Sequence, residues 1–98
     1  MEITNNNLDE HIKEGTVLVD FYAQWCGPCK MLSPVLEKIE EETDFKVLKV
    51  DVDQNGDLAM KYGIRSIPSL FFFKDGKMIE NVTGALPKEE IISKLENL

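Results

Sequence analysis

Positive charge is what this 98-residue sequence most lacks: 11 lysines and arginines stand against 18 acidic residues, for a formal net charge of -7. A protein that grips phosphate backbones or anionic lipid headgroups does so by neutralising them, so this balance argues against nucleic acid and membrane surfaces as partners. Long apolar runs are missing too. The longest aromatic stretch, Leu70-Phe71-Phe72-Phe73, falls far short of the roughly 20 apolar residues that a membrane-spanning helix needs. Met1 to Asn7 offer neither a basic start nor an apolar segment, so no secretory signal is visible and a soluble, cytoplasmic chain is expected.

Cysteine occurs only twice and histidine once. Two cysteines at positions 26 and 29 cannot make a disulfide framework. Closing so small a loop stabilises by about 2 kcal/mol at best on chain-entropy grounds, which makes stapling a weak reason for the pair. A structural zinc site needs four ligands, and Cys26, Cys29 and His11 leave that set incomplete, so no metal is expected.

What is present suits one compact domain over residues 1–98: 43% of the residues are hydrophobic, and no repeat, low-complexity tract or linker interrupts them. Glu2 to Thr4 reads as a short strand. Leu8 and Ile12, four apart after three asparagines that can cap, suggest a helix from about Asn7 to Glu14 stopping at Gly15. Val17 to Tyr22 is a nearly continuous apolar, β-rich run, the pattern of a central strand covered on both faces. After the cysteines, Met31, Leu32, Val35, Leu36 and Ile39 repeat at helical spacing, which predicts a long amphipathic helix kinked at Pro34. Lys46 to Asp51 alternates as a strand, with Val47 and Lys49 on one side and Leu48 and Val50 on the other. Leu58, Ala59 and Tyr62 suggest a short helix ended by Gly63.

Ser69 to Phe73 and Met78 to Val82 flank Asp75-Gly76, a strong hairpin signal. Pro87 then opens a helix with Glu89 and Glu90 in its first turn and Ile91, Ile92, Leu95 and Leu98 as its buried stripe. The order strand-helix-strand-helix-strand-helix-strand-strand-helix predicts an α/β fold, a three-layer α/β/α sandwich around a mixed sheet. Met60, Met78 and the Phe71 to Phe73 run read as core or edge packing, and His11 as a surface or helix-end residue.

Trp25-Cys26-Gly27-Pro28-Cys29 falls between a buried strand and the start of a helix, where unpaired backbone N–H groups and the helix dipole favour a thiolate at Cys26. Pro28 fits the first helical turn, where its missing N–H is no loss. Three residues apart on a turn, the two thiols share a face, so Cys29 can attack a mixed disulfide formed by Cys26. Cys26 is then the nucleophile and Cys29, one turn further in and more sheltered, the resolving thiol. An inert pair on a turn is the blander alternative; a C-x-x-C beside a βαβ pattern favours redox chemistry. Asp20 stands inside an apolar strand, where an ionised carboxylate without partners is costly, so it either reaches the strand's end or serves chemistry. Lys49 alone reads as a solvated strand lysine, Pro68 as a strand-entry proline, and Trp25 as core or site rim.

Asp20-Phe21-Tyr22-Ala23-Gln24-Trp25-Cys26-Gly27-Pro28-Cys29-Lys30-Met31 resembles the active-site segment of the thioredoxin family almost residue for residue. Lys49 to Asp53, Tyr62 to Ser69, and Gly84-Ala85 are similar to the family's remaining signatures in the same order. Tyr22 departs from the tryptophan that many members carry there. The resemblance implies the thioredoxin fold and a disulfide reductase that needs no bound cofactor. It implies that Asp20 assists proton transfer at Cys29, that Lys49 lies near Asp20 and tunes it, and that Pro68 is cis and faces the cysteines. Ile67 and Pro68, with Trp25, Gly27, Pro28, Gly84 and Ala85, would then form an exposed, mostly apolar substrate-binding patch.

The implied partners are disulfide-containing client proteins and a thioredoxin reductase that restores the dithiol, drawing on NADPH, with a ferredoxin- or other reductant-linked partner as the alternative; the chain is expected to work as a monomer. Two rivals accompany this reading. An oxidant or isomerase on the same fold commonly carries a histidine between the cysteines, which Gly27-Pro28 lacks. A non-catalytic adaptor would use the apolar patch and leave the cysteines incidental.

Overall fold

The computed structural model describes residues 1–98. Its elements run α1 (Leu8–Ile12), β1 (Thr16–Tyr22), α2 (Gly27–Glu42), β2 (Lys46–Asp51), α3 (Gly56–Lys61), β3 (Ser69–Lys74), β4 (Lys77–Thr83) and α4 (Lys88–Glu96). The sheet order is β2-β1-β3-β4. β1 and β2 are parallel, joined through α2, whereas β3 runs antiparallel to both β1 and β4. The first expected strand is reduced to one bridge, Glu2 to Lys49. Ile3 N–H donates to the Lys49 carbonyl and Lys49 N–H to that of Met1, and no further ladder forms because Thr4 already turns toward α1.

β1 shows why a continuous apolar run marks a central strand. Its alternate residues point to opposite sides. Val17, Val19 and Phe21 meet Leu8 and Ile12 of α1, Leu58 of α3, Leu48, Val50, Phe71 and Phe73. Leu18 meets Leu32, Leu36 and Ile39 of α2, Ile91 and Leu95 of α4, Val47, Leu70 and Phe72. Helices therefore cover both faces, and the Phe71 to Phe73 run is core. Phe21, Tyr62, Phe71 and Phe73 form an aromatic cluster with centroid separations from 5.1 to 6.1 Å, each fully buried ring contributing about 1.5–3 kcal/mol of transfer free energy.

The turns obey their residues. Asp75 and Gly76 both take positive φ, 49° and 87°, the requirement of a two-residue hairpin whose twist matches its strands. The β3–β4 register slips between Phe72, paired with Glu80, and Phe73, paired with Met78. Ile79 is thus the bulged residue, and a bulge disrupts an edge strand as a template for further pairing. α2 runs unbroken through Pro34. Its buried stripe is Cys29, Leu32, Leu36 and Ile39; Met31, expected in that stripe, is exposed because it lies one 100° step away from Leu32. Met60, expected in core or edge packing, is 83% exposed, since the short α3 buries only Leu58.

Candidate functional site

The cysteines lie where β1 hands over to α2. Cys26 is the N-cap of α2, with extended φ and ψ of -86° and 114°. Pro28 occupies the first turn. The Cys29 N–H donates to Cys26 Sγ at 3.2 Å, so the sulfur takes the place that a serine or aspartate oxygen holds at an ordinary N-cap. Cys26 and Cys29 are joined as a disulfide with Cα atoms 5.2 Å apart, well inside the span such a bond bridges. Both residues are 4% exposed. The expected greater shelter of Cys29 is therefore not visible in residue burial, because the bond draws both sulfurs against Tyr22, Ala23, Val52 and Ile67.

Alternation along β1 puts Asp20 between Leu18 and Tyr22 on the face that α2 covers. Parallel pairing sets Lys49 directly beside it on β2, on the same face. Asp20 is 1% exposed, and no protein group donates a hydrogen bond to either carboxyl oxygen. Its pKa is raised to about 7, first by burial, against which the positive charge of Lys49 works, while Glu2 adds to the rise. The Lys49 ammonium does not bridge to Asp20. It donates to Ser33 Oγ at 3.0 Å and lies 4.6 Å from the centroid of the Tyr22 ring. The Tyr22 hydroxyl in turn donates to Glu2 at 2.7 Å; burial and that acceptor hold the phenol above its ordinary value.

The expected substrate-binding residues come together in part. Trp25 is 70% exposed and held by its indole N–H, which donates to Asp53 Oδ2 at 2.8 Å. Gly27, Pro28 and Ala85 are exposed and Gly84 partly so. Ile67 packs against the cysteines. The Ile67-Pro68 bond is cis, and the Pro68 carbonyl accepts from the Gly84 N–H at 2.7 Å, which ties the two loops together. Pro68 itself is buried, a correction to its expected place in an exposed patch: it leads directly into the buried strand β3 at Ser69, whose hydroxyl donates to the Ser66 carbonyl.

Three contacts of the site escaped sequence reasoning. Ser33 had a usable signal, being a polar residue four positions after Cys29 on the same helical face. Asp53 lies in a recognisable segment, but nothing local pairs it with Trp25. Glu2 reaches Tyr22 only through the tertiary fold. No group of three histidine, cysteine, aspartate or glutamate residues is placed to hold a metal ion.

The thioredoxin family model matches residues 1–97. The chain belongs to the thioredoxin family. It is 47% identical to thioredoxin of Staphylococcus haemolyticus, over 98% of this chain and 94% of that protein, and 45% identical to thioredoxin of Bacillus subtilis, over 93% and 89%. Among solved structures it is similar to a mutant thioredoxin from Halobacterium salinarum, with a TM-score of 0.92 and 41% identity over 99% of this chain and 88% of that one. Thioredoxin membership, together with a Cys-x-x-Cys pair at bonding distance, makes the chain a thiol–disulfide oxidoreductase.

Proposed function

We propose that residues 1–98 act as one thioredoxin domain that reduces disulfides in client proteins, with Cys26 as nucleophile and Cys29 as resolving thiol. The observation that carries this order of attack is the Cys29 N–H aimed at Cys26 Sγ from the first turn of a 16-residue helix. A donor and a helix N-terminus stabilise negative charge on the sulfur they face. The Cys26 thiolate attacks one sulfur of a client disulfide and forms a mixed disulfide, releasing the client's other sulfur as a thiolate. Cys29 then gives up its proton and attacks Cys26 Sγ. The second client thiolate leaves, and the Cys26–Cys29 disulfide remains.

Asp20 assists by accepting or returning the proton at Cys29. A carboxyl poised near neutral pH can do either, whereas one at an ordinary value would stay ionised. Lys49 tunes it. Trp25, Gly27, Pro28, Ile67, Gly84 and Ala85 form the rim against which an extended client segment lies, and the buried Pro68 ties in through its carbonyl, which accepts from the Gly84 N–H. Gly27-Pro28 places no charge between the cysteines, which favours a reductant over an oxidant or isomerase. A thioredoxin reductase drawing on NADPH restores the dithiol, and the chain works as a cytoplasmic monomer. No helix is long and apolar enough to cross a membrane.

Reduction of insulin disulfides by dithiothreitol, followed with and without the protein, tests the function. Strong acceleration supports the reductase; an unchanged rate moves the case to the adaptor.

A further inference from the structure

A cavity of about 110 Å³ opens beside Cys29, lined by Tyr22, Ala23, Gln24, Lys30, Ser33 and Lys49. Ser33 is the one α2 hydroxyl in it. The Lys49 stem runs from β2, next to Asp20, toward this cavity, and its ammonium ends on Ser33 Oγ at 3.0 Å and over the Tyr22 ring. Asp20, the register partner of Lys49, receives no hydrogen bond from any protein group, and no Asp20–Lys49 contact falls among the ion pairs of the molecule. A lysine this close to a buried carboxylate is attracted to it, so something must hold the ammonium elsewhere.

We propose that Ser33 is a positioning residue whose hydroxyl holds the Lys49 ammonium at the Cys29 cavity, against Tyr22 and off the Asp20 carboxyl. Tyr22 alone cannot fix that position, because a ring face attracts a cation from a broad range of directions. A hydroxyl oxygen accepts at one short distance. The charges that act on Asp20 are Lys49, its partner on β2, and Glu2 from the N-terminal segment; Tyr22 and Asp51 follow two residues on along β1 and β2, and its β3 partner, Leu70, is neutral. Of these, only Lys49 is a cation tethered by a single removable side-chain acceptor. Ser33 therefore sets how much of the Lys49 field reaches Asp20, and through Asp20 the pH at which Cys29 is served. The inference rests on the proposed proton role of Asp20 for its functional meaning, but its geometry is read independently of activity.

The experiment is a carboxyl carbon-13 NMR titration of Asp20 in the oxidised full chain and in Ser33→Ala, Ser33→Thr, Lys49→Met and the double variant Ser33→Ala/Lys49→Met. Ser33→Ala should lower the Asp20 midpoint by about half a pH unit or more as Lys49 moves to the carboxyl. Ser33→Thr, which keeps the hydroxyl, should restore the original midpoint. In the Lys49→Met background Ser33→Ala should change nothing. A midpoint that stays or rises in Ser33→Ala, or a shift that survives without Lys49, overturns the proposal. A purely structural role for Ser33 would alter thermal stability and leave the midpoint in place. The insulin assay decides the reductase reading separately, so a failure of either is distinguishable from a failure of the other.

Discussion

The two faces of β1 carry the same strand through equally complete burial and do opposite things with it. On one face Val17, Val19 and Phe21 meet only apolar side chains from α1, α3 and the neighbouring strands. On the other, Leu18 continues the core under α2, but the next residue inward is Asp20, unpartnered and 1% exposed, followed by Tyr22 against the cysteines. The first face is a source of stability. The second gives some of it up, because a carboxylate left without protein donors in a buried site is held at a cost that no packing requirement explains. The difference teaches where to look for chemistry: the exception to the packing pattern and the disulfide lie at the same end of the same face.

Truncation on the packing face should have the largest effect. Phe21→Ala removes the ring that touches both Tyr62 and Phe71 and should cost about 3–5 kcal/mol in urea unfolding, equally at acidic and alkaline pH. Asp20→Ala should break the comparison from the other side. With its pKa raised from 3.8 to about 7, the folded chain keeps a proton that the unfolded chain has released. Stability then falls as pH rises through that window, and the full penalty is present above it. The variant should lose this slope and gain up to about 4 kcal/mol above pH 7, with little change below pH 4. A gain that is independent of pH would mean that ionisation is not what Asp20 costs.

Gly76→Ala sharpens the contrast with a site at the far end of the sheet. An added Cβ would meet Lys13 at no closer than 3.6 Å, so the φ of +87° is the obstacle. The expected loss is about 1–2 kcal/mol with no change in disulfide chemistry. The smallest effect belongs to Asp53→Ala, which frees the exposed Trp25 indole. It should change stability by less than about 1 kcal/mol yet lower the fluorescence anisotropy of the single tryptophan.

Most of the architecture was legible because periodicity reports burial. The continuous run of β1 announced a strand covered twice, and Asp75-Gly76 announced the hairpin. The redox pair was legible from its spacing and from Pro28 at a strand-to-helix junction. Asp20 was conspicuous for the same reason that it is costly. What stayed hidden depends on tertiary placement: the Trp25–Asp53 and Tyr22–Glu2 hydrogen bonds join residues far apart in the chain. The exposure of Met31 and Met60 follows from which narrow stripe of α2 and α3 is buried, Cys29, Leu32, Leu36 and Ile39 in one and Leu58 alone in the other. Pro68 was placed in the site by resemblance, but that its ring is buried depends on the fold around it.

The most direct test of the central claim is to mix the reduced Cys29→Ser and Cys26→Ser variants separately with a disulfide-bonded peptide and weigh the products by mass spectrometry. The account predicts a stable mixed disulfide through Cys26 in Cys29→Ser and little adduct in Cys26→Ser, since the thiol one turn inside α2 lacks the N-cap position that favours the thiolate. Equal trapping by both variants, or trapping by Cys26→Ser alone, would contradict the assignment of Cys26 as the nucleophile.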